Sequence, residues 1–181
     1  MRLIFGACLA ALAASPALAD YWNYNDWHAA TEPHVTEQDS YLSCRAWTGG
    51  DGDPVLALEV FSGDAGPPAA YPMAQVQEYA ARHYPTMMQQ GGTVDFIFDF
   101  DRTFSIAAGI NSRINEEGLA EAESVLRFED HVPMLQAMKQ GRWVEIWAGN
   151  DMVYEASLSG FTAAYGKMMD ECGFSLALPA G

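Results

Sequence analysis

Two cysteines, Cys44 and Cys172, stand near opposite ends of the part of this chain that can form a folded domain, and a bond between them ties nearly all of it into one loop. Whether they bond depends on compartment, because disulfides persist in oxidising surroundings and are rare in the cytosol. The first residues decide that question. Arg2 supplies a positive charge, an apolar run covers residues 3–12, and Ala17-Leu18-Ala19 precedes Asp20. That order is a secretory leader with a small-x-small cleavage site. Residues 1–19 are therefore expected to be removed, with the mature chain beginning at Asp20. The apolar run falls short of the ~20 residues that span a bilayer, and Cys8 lies inside it rather than after it, which is the wrong place for a lipid anchor. Cys44 and Cys172 then read as one disulfide, whose loop closure removes about 4–5 kcal/mol of unfolded-chain entropy. No Cys-x-x-Cys is present, so the pair reads as a staple and not as a redox centre.

Residues 20–181 are a length that suits one domain with a real core. With 9 Lys and Arg against 24 Asp and Glu, the formal net charge is −15. Such a surface repels nucleic acid and anionic lipid, which are bound by clustered Lys and Arg. The sequence beyond the leader contains no span long enough for stable membrane insertion.

Residues 20–39 are polar with scattered aromatics, Tyr21, Trp22, Tyr24 and Trp27, and read as an arm ahead of a single globular domain at 40–181. Residues 41–47 and 55–61 read as strands around the breaker Gly49-Gly50-Asp51-Gly52-Asp53-Pro54. Met73, Val76, Ala80 and Tyr84 recur at helical spacing and predict a helix over 72–84. Strict alternation from Val94 to Phe100 predicts a half-buried strand. Further strands are expected at 103–110, 124–128, 143–148 and 152–158, with 111–121 as a loop and Gly149-Asn150-Asp151 as a hairpin turn. Helices are expected at 132–140 and 161–170, the second started by a Ser159 cap and ended at Gly173. The expected class is α+β and β-rich: a mainly antiparallel sheet or β-sandwich with about three helices, the last disulfide-linked to the first strand.

No motif for catalysis emerges. Ser157-Leu158-Ser159-Gly160 lacks the glycine that a nucleophile elbow places two residues before its serine. His28, His34, His83 and His131 include no pair spaced to ligate zinc from one element, and Asp51 and Asp53 lack the later ligands of a calcium loop. His131, Met134 and Met138 share one helical face, the soft donor set that holds copper(I). Asp95, Asp99 and Asp101 share one face of the phenylalanine strand and offer an acidic stripe to a cation or a basic partner. No cofactor is expected.

Asp26-Trp27, Leu42-Ser43-Cys44-Arg45-Ala46, the run from Val94 to Asp99, Gly141-Arg142-Trp143-Val144 and above all the segment from Ser157 to Tyr165 together resemble the invasion-associated locus B family of exported Gram-negative proteins. The last segment is also similar to periplasmic proteins associated with type VI secretion. The resemblance implies a sandwich-like periplasmic or secreted domain with a closing C-terminal helix and an envelope or host-interaction role, and it carries over no catalytic residue. The expected function is binding of an envelope or host protein or of a small ligand; a copper or cation binder and an enzyme of another type are the alternatives. Intact-mass measurement of exported protein should give a chain that starts at Asp20 and is lighter by the two hydrogens of one disulfide; an intact leader or two free thiols would refute the export reading.

Overall fold

The computed structural model describes residues 19–177, so residues 1–18 of the expected leader lie outside the described residues. Ten strands follow the chain: β1 (Asp20–Tyr24), β2 (Trp27–Val35), β3 (Ser40–Gly49), β4 (Val55–Phe61), β5 (Ala74–Tyr79), β6 (Thr93–Phe98), β7 (Ser105–Ile114), β8 (Ala120–Val125), β9 (Trp143–Ala148) and β10 (Asp151–Ser157). They form one antiparallel sheet in the order β1-β2-β3-β4-β5-β8-β7-β6-β9-β10. Two α-helices, α1 (His131–Gln140) and α2 (Phe161–Glu171), complete the described residues with a short 3-10 turn at Phe128–Asp130. The β-rich antiparallel expectation holds, whereas the third helix does not form.

The missing helix is β5. Its inward positions are Ala74, Val76 and Glu78, all buried, and its outward ones are Gln75, Gln77 and Tyr79. The inward glutamate disguises the alternation, which leaves the helical spacing of Met73, Val76, Ala80 and Tyr84 as the louder signal. Glu78 is inward because its two carboxylate oxygens accept the backbone N–H groups of Met87 (2.6 Å) and Met88 (2.9 Å), fastening the following loop while Met88 enters the core. Burial of a carboxylate is tolerable when its oxygens are hydrogen-bonded in this way.

The expected arm is also part of the sheet. Asn25 takes a left-handed conformation (φ 52°) in the two-residue turn Asn25-Asp26, the geometry that tight hairpins favour. Trp27, Ala29 and Thr31 then face inward in β2 while His28, Ala30 and Glu32 face outward. β7 likewise runs further than expected, through Ile114, and pairs with β8 across most of the segment read as a loop.

The sheet curls until its two ends meet. The backbone N–H of Asp26 donates to Ser159 O (3.2 Å), the Ser157 hydroxyl donates to Asp26 Oδ2 (2.6 Å), and the buried Trp27 indole donates to Ser157 O (2.8 Å). Inside the curl α2 packs on β2 and β3, with Phe161 edge-on to Trp27 at 5.1 Å. Its exit at Cys172 is bonded to Cys44, with Cα atoms 6.0 Å apart; the bonded strand is the third and not the expected first, because β1 and β2 of the expected arm precede it in the sheet. Past that point the N–H groups of Gly173 and Phe174 donate to Asp170 O and Met169 O, the reciprocal pair that closes a Schellman motif. The start of α2 differs from expectation. Gly160, at φ 98°, occupies the cap position, and no side chain caps the helix there. A Cβ at Gly160 would sit 1.8 Å from the carbonyl oxygen of Tyr24. Gly160→Ala combines that collision with a left-handed backbone and should cost at least ~2 kcal/mol in denaturant unfolding; a loss of a few tenths would show that the junction yields.

Candidate functional site

The structure separates the candidate groups. Cys44 and Cys172 are bonded, as expected. Met134 and Met138 of α1 are 0% and 1% exposed within the core, while His131 lies against the Phe128 ring at 5.4 Å. The shared face of these residues is therefore a core face, not an accessible set of donors. Among the described residues no three His, Cys, Asp or Glu side chains gather as a metal site requires.

The acidic stripe is also not a stripe. Asp95 sits outward between Ala107 and Trp147, but the chain leaves β6 at Phe98 and the next two aspartates turn away. The Asp99 side chain is 4% exposed and accepts from the Arg142 backbone N–H (2.8 Å), the Arg142 Nε (2.9 Å) and the Trp143 N–H (3.4 Å). Burial pushes its pKa up, and the Arg142 and Trp143 donors outweigh burial, leaving it below the ordinary carboxylate value. Asp101 accepts from the hydroxyl (2.7 Å) and N–H (2.9 Å) of Thr103, which lower its pKa too. These two aspartates order turns.

Side chains concentrate instead on the outer face of β1–β5 and β8–β7. Register places Asn23, His28, Trp47, Ala57 and Gln75 in one row across five strands. The neighbouring row holds Tyr21, Ala30, Arg45 and Glu59. Residues facing each other across antiparallel strands project to the same side and touch. Tyr21 therefore stacks on His28 (5.5 Å) and meets Trp47 edge-on (5.7 Å), while its hydroxyl lies 2.7 Å from His28 Nδ1. His28 is also held by Asn23 Oδ1 at 2.6 Å. The Arg45 guanidinium lies 5.6 Å from the Trp47 ring centroid and donates to Gln77 Oε1 (2.7 Å).

Gln77 carries the face onward. It stands opposite Glu123, which stands opposite Asn111, and Tyr79 begins the parallel row through Glu121 to Arg113. Arg113 and Glu121 are ion-paired. Hollows of ≈ 250, 200 and 100 Å³ follow one another along these rows, the first two sharing Arg45 and Glu59 and the last two sharing Gln77. The third shares Ser112 and Arg113 with a larger cleft of ≈ 580 Å³ beside His83 and Tyr84. That cleft is lined by Ser112, Ile114 and Ala120 from the inward side of β7 and β8, so the three smaller hollows alone form a trough across the outer face of the strands. Tyr21 (53% exposed) marks one end and Tyr79 (57%) the other. His83 reaches the cleft with a left-handed backbone, φ 73°.

None of these residues had been singled out as a site from sequence. Three of the strands that assemble the trough, β1, β2 and β5, read as arm or helix, and without them Tyr21, His28 and Gln77 are not placed beside Arg45 and Trp47. The available signal was the period-two pattern 27, 29, 31 against 28, 30, 32, muted by its alanines. No protein-family model, curated protein or solved structure matches this chain. Its chemistry is read from its own geometry.

Because Asp99 has a lowered pKa in the fold, the stability it contributes is present above its unfolded pKa and is lost as pH falls through the folded one. Asp99→Asn should unfold more easily than the parent by about 1–2 kcal/mol at pH 7, from loss of charge-assisted hydrogen bonds. The gap should narrow on acidification below pH ~4. A gap independent of pH would show that Asp99 acts only through shape.

Proposed function

We propose that this chain is an exported, non-enzymatic binding protein of the periplasm or cell exterior, and that the outer trough is its recognition surface. The observation that carries the reading is the arrangement of Tyr21, His28, Trp47, Arg45 and Gln77. They are tied to one another by ring contacts and hydrogen bonds yet remain on the solvent side of the sheet. Side chains locked by their neighbours lose little freedom when a ligand arrives, which is the advantage of a preorganised site. Aromatic residues and Arg are also the groups that dominate binding energy where partners meet.

The leader, the disulfide and the resemblance to the invasion-associated locus B family support export and an envelope or host-interaction role. Among the described residues no helix is long and apolar enough to cross a membrane. A cation-binding function gains no support from Met134 and Met138, whose thioethers fill the core.

A photocrosslinking amino acid at Glu59, in the trough, tests the reading in cells against the same group at Glu116, in the β7–β8 turn. The expected result is a discrete adduct from position 59 that is absent from position 116 and is lost when Trp47→Ala is added. Equal labelling from both positions, or none from position 59, would remove the trough from consideration as a binding surface.

A further inference from the structure

We propose that the trough binds a neutral glycan chain lying across the strands; the proposal rests on reading this face as the recognition surface. The location restricts the ligand first. On the face of a sheet the backbone N–H and C=O groups are engaged in the ladders, so recognition falls to side chains. A peptide that binds by adding a strand needs an open edge. A helical peptide needs a continuous apolar groove with anchors one and two turns apart, whereas the middle of this trough is built from Arg45, Glu59, Gln77, Glu123 and Asn111.

Those side chains are flat, polar groups that present paired donors or acceptors at fixed spacing. Adjacent hydroxyls on a sugar ring present the complementary pairs. Arg45 is already oriented for this, held by Gln77 Oε1 and by the Trp47 ring. The rings of Tyr21, Trp47 and Tyr79 add platforms of the kind on which the C–H face of a sugar rests, apolar in body and polar at the tip. The step between neighbouring strands, ~4.8 Å, is close to the length of one pyranose unit. A chain crossing the strands therefore meets a new row of side chains at about every ring.

Charge selects against an acidic chain. Arg45 stands opposite Glu59 and Arg113 is paired with Glu121, while Glu32 and Glu123 stand opposite Ser43, Gln77 and Asn111, so the trough lining holds more carboxylates than guanidiniums. The chain as a whole carries −15. A polyanion would be repelled at long range and would find no cluster of bases on arrival.

Calorimetric and tryptophan-fluorescence titration of the folded, oxidised protein with cellohexaose, chitohexaose and maltohexaose tests the proposal, with an oligogalacturonate hexamer as the anionic comparison. Saturable binding of at least one neutral hexamer is expected, with the anionic one much weaker. Trp47→Ala and, at the far side of the trough, Glu123→Ala should each weaken binding by about tenfold or more. Phe128→Ala, at an exposed ring outside the trough, should leave it unchanged. Glu123→Ala keeps the test valid if Trp47→Ala disturbs the fold. Absence of binding by all three neutral hexamers at millimolar concentration, or binding unaffected by both trough substitutions, would overturn the proposal. A protein adduct from position 59 alongside absent glycan binding would overturn the glycan and keep the trough as a surface for another ligand; loss of both would remove the trough itself.

Discussion

The last strand and the last helix are held against the first hairpin at one crowded junction, and the remaining architecture depends on it. Trp27 is fully buried there, its indole N–H spent on Ser157 O and its ring face on Phe161. Asp26 binds the same segment twice, through its N–H to Ser159 O and through its carboxylate to the Ser157 hydroxyl. Gly160 allows the chain to turn into α2 where any side chain would strike Tyr24. These contacts join residues about 130 positions apart, so they bring together ends that would otherwise leave the core open on one side. The disulfide acts at the other end of α2, which is thereby fixed at both ends against β2 and β3.

Much of this was legible in the sequence, and the failures have a common physical cause. Val94–Phe98 and the Trp143–Ser157 hairpin were clear because their inward residues are large and their turn carries Gly149-Asn150. α1 and α2 were clear because apolar residues recur with a helical period and glycines follow. β2 and β5 were misread where the inward residues are small or polar, Ala29, Thr31, Ala74 and Glu78. Pattern reading equates inward with apolar. Glu78 is inward because two backbone N–H groups 9 and 10 residues downstream require an acceptor, a demand that appears only once the loop has folded. The disulfide was readable from two cysteines behind the expected secretory leader, with no knowledge of the fold. The trough was not, since it depends on cross-strand register between segments whose strand character was hidden.

The same distinction explains why the acidic residues picked from sequence do not make a site. Spacing in a strand predicts a shared face only as far as the strand runs, and β6 ends one residue before Asp99. Beyond that point local hydrogen bonds govern. Asp99 serves the Arg142–Trp143 backbone and Asp101 serves Thr103, so both are occupied with turns. With 24 acids and 9 bases in the chain, an arginine that stands opposite Glu59 yet is held by an amide and a ring is a selective use of a scarce group. Arg45 is hydrogen-bonded to an amide and stacked beside an indole.

β3 links the inside of the protein to that surface. Its inward residues include Cys44, Ala46 and Thr48, its outward ones Arg45 and Trp47. The position bonded to α2 is thus the immediate neighbour of the arginine that centres the trough. A strand pinned from below by a covalent bond and flanked by β2 and β4 has little freedom to twist or slip, because a slip of one residue would exchange its two faces. Side chains on such a strand keep a fixed spacing, and the cost of ordering them is met during folding. The staple that closes the domain therefore also sets the positions of Arg45 and Trp47. A pair of cysteines elsewhere could have closed a loop of similar length without holding this outer face in place.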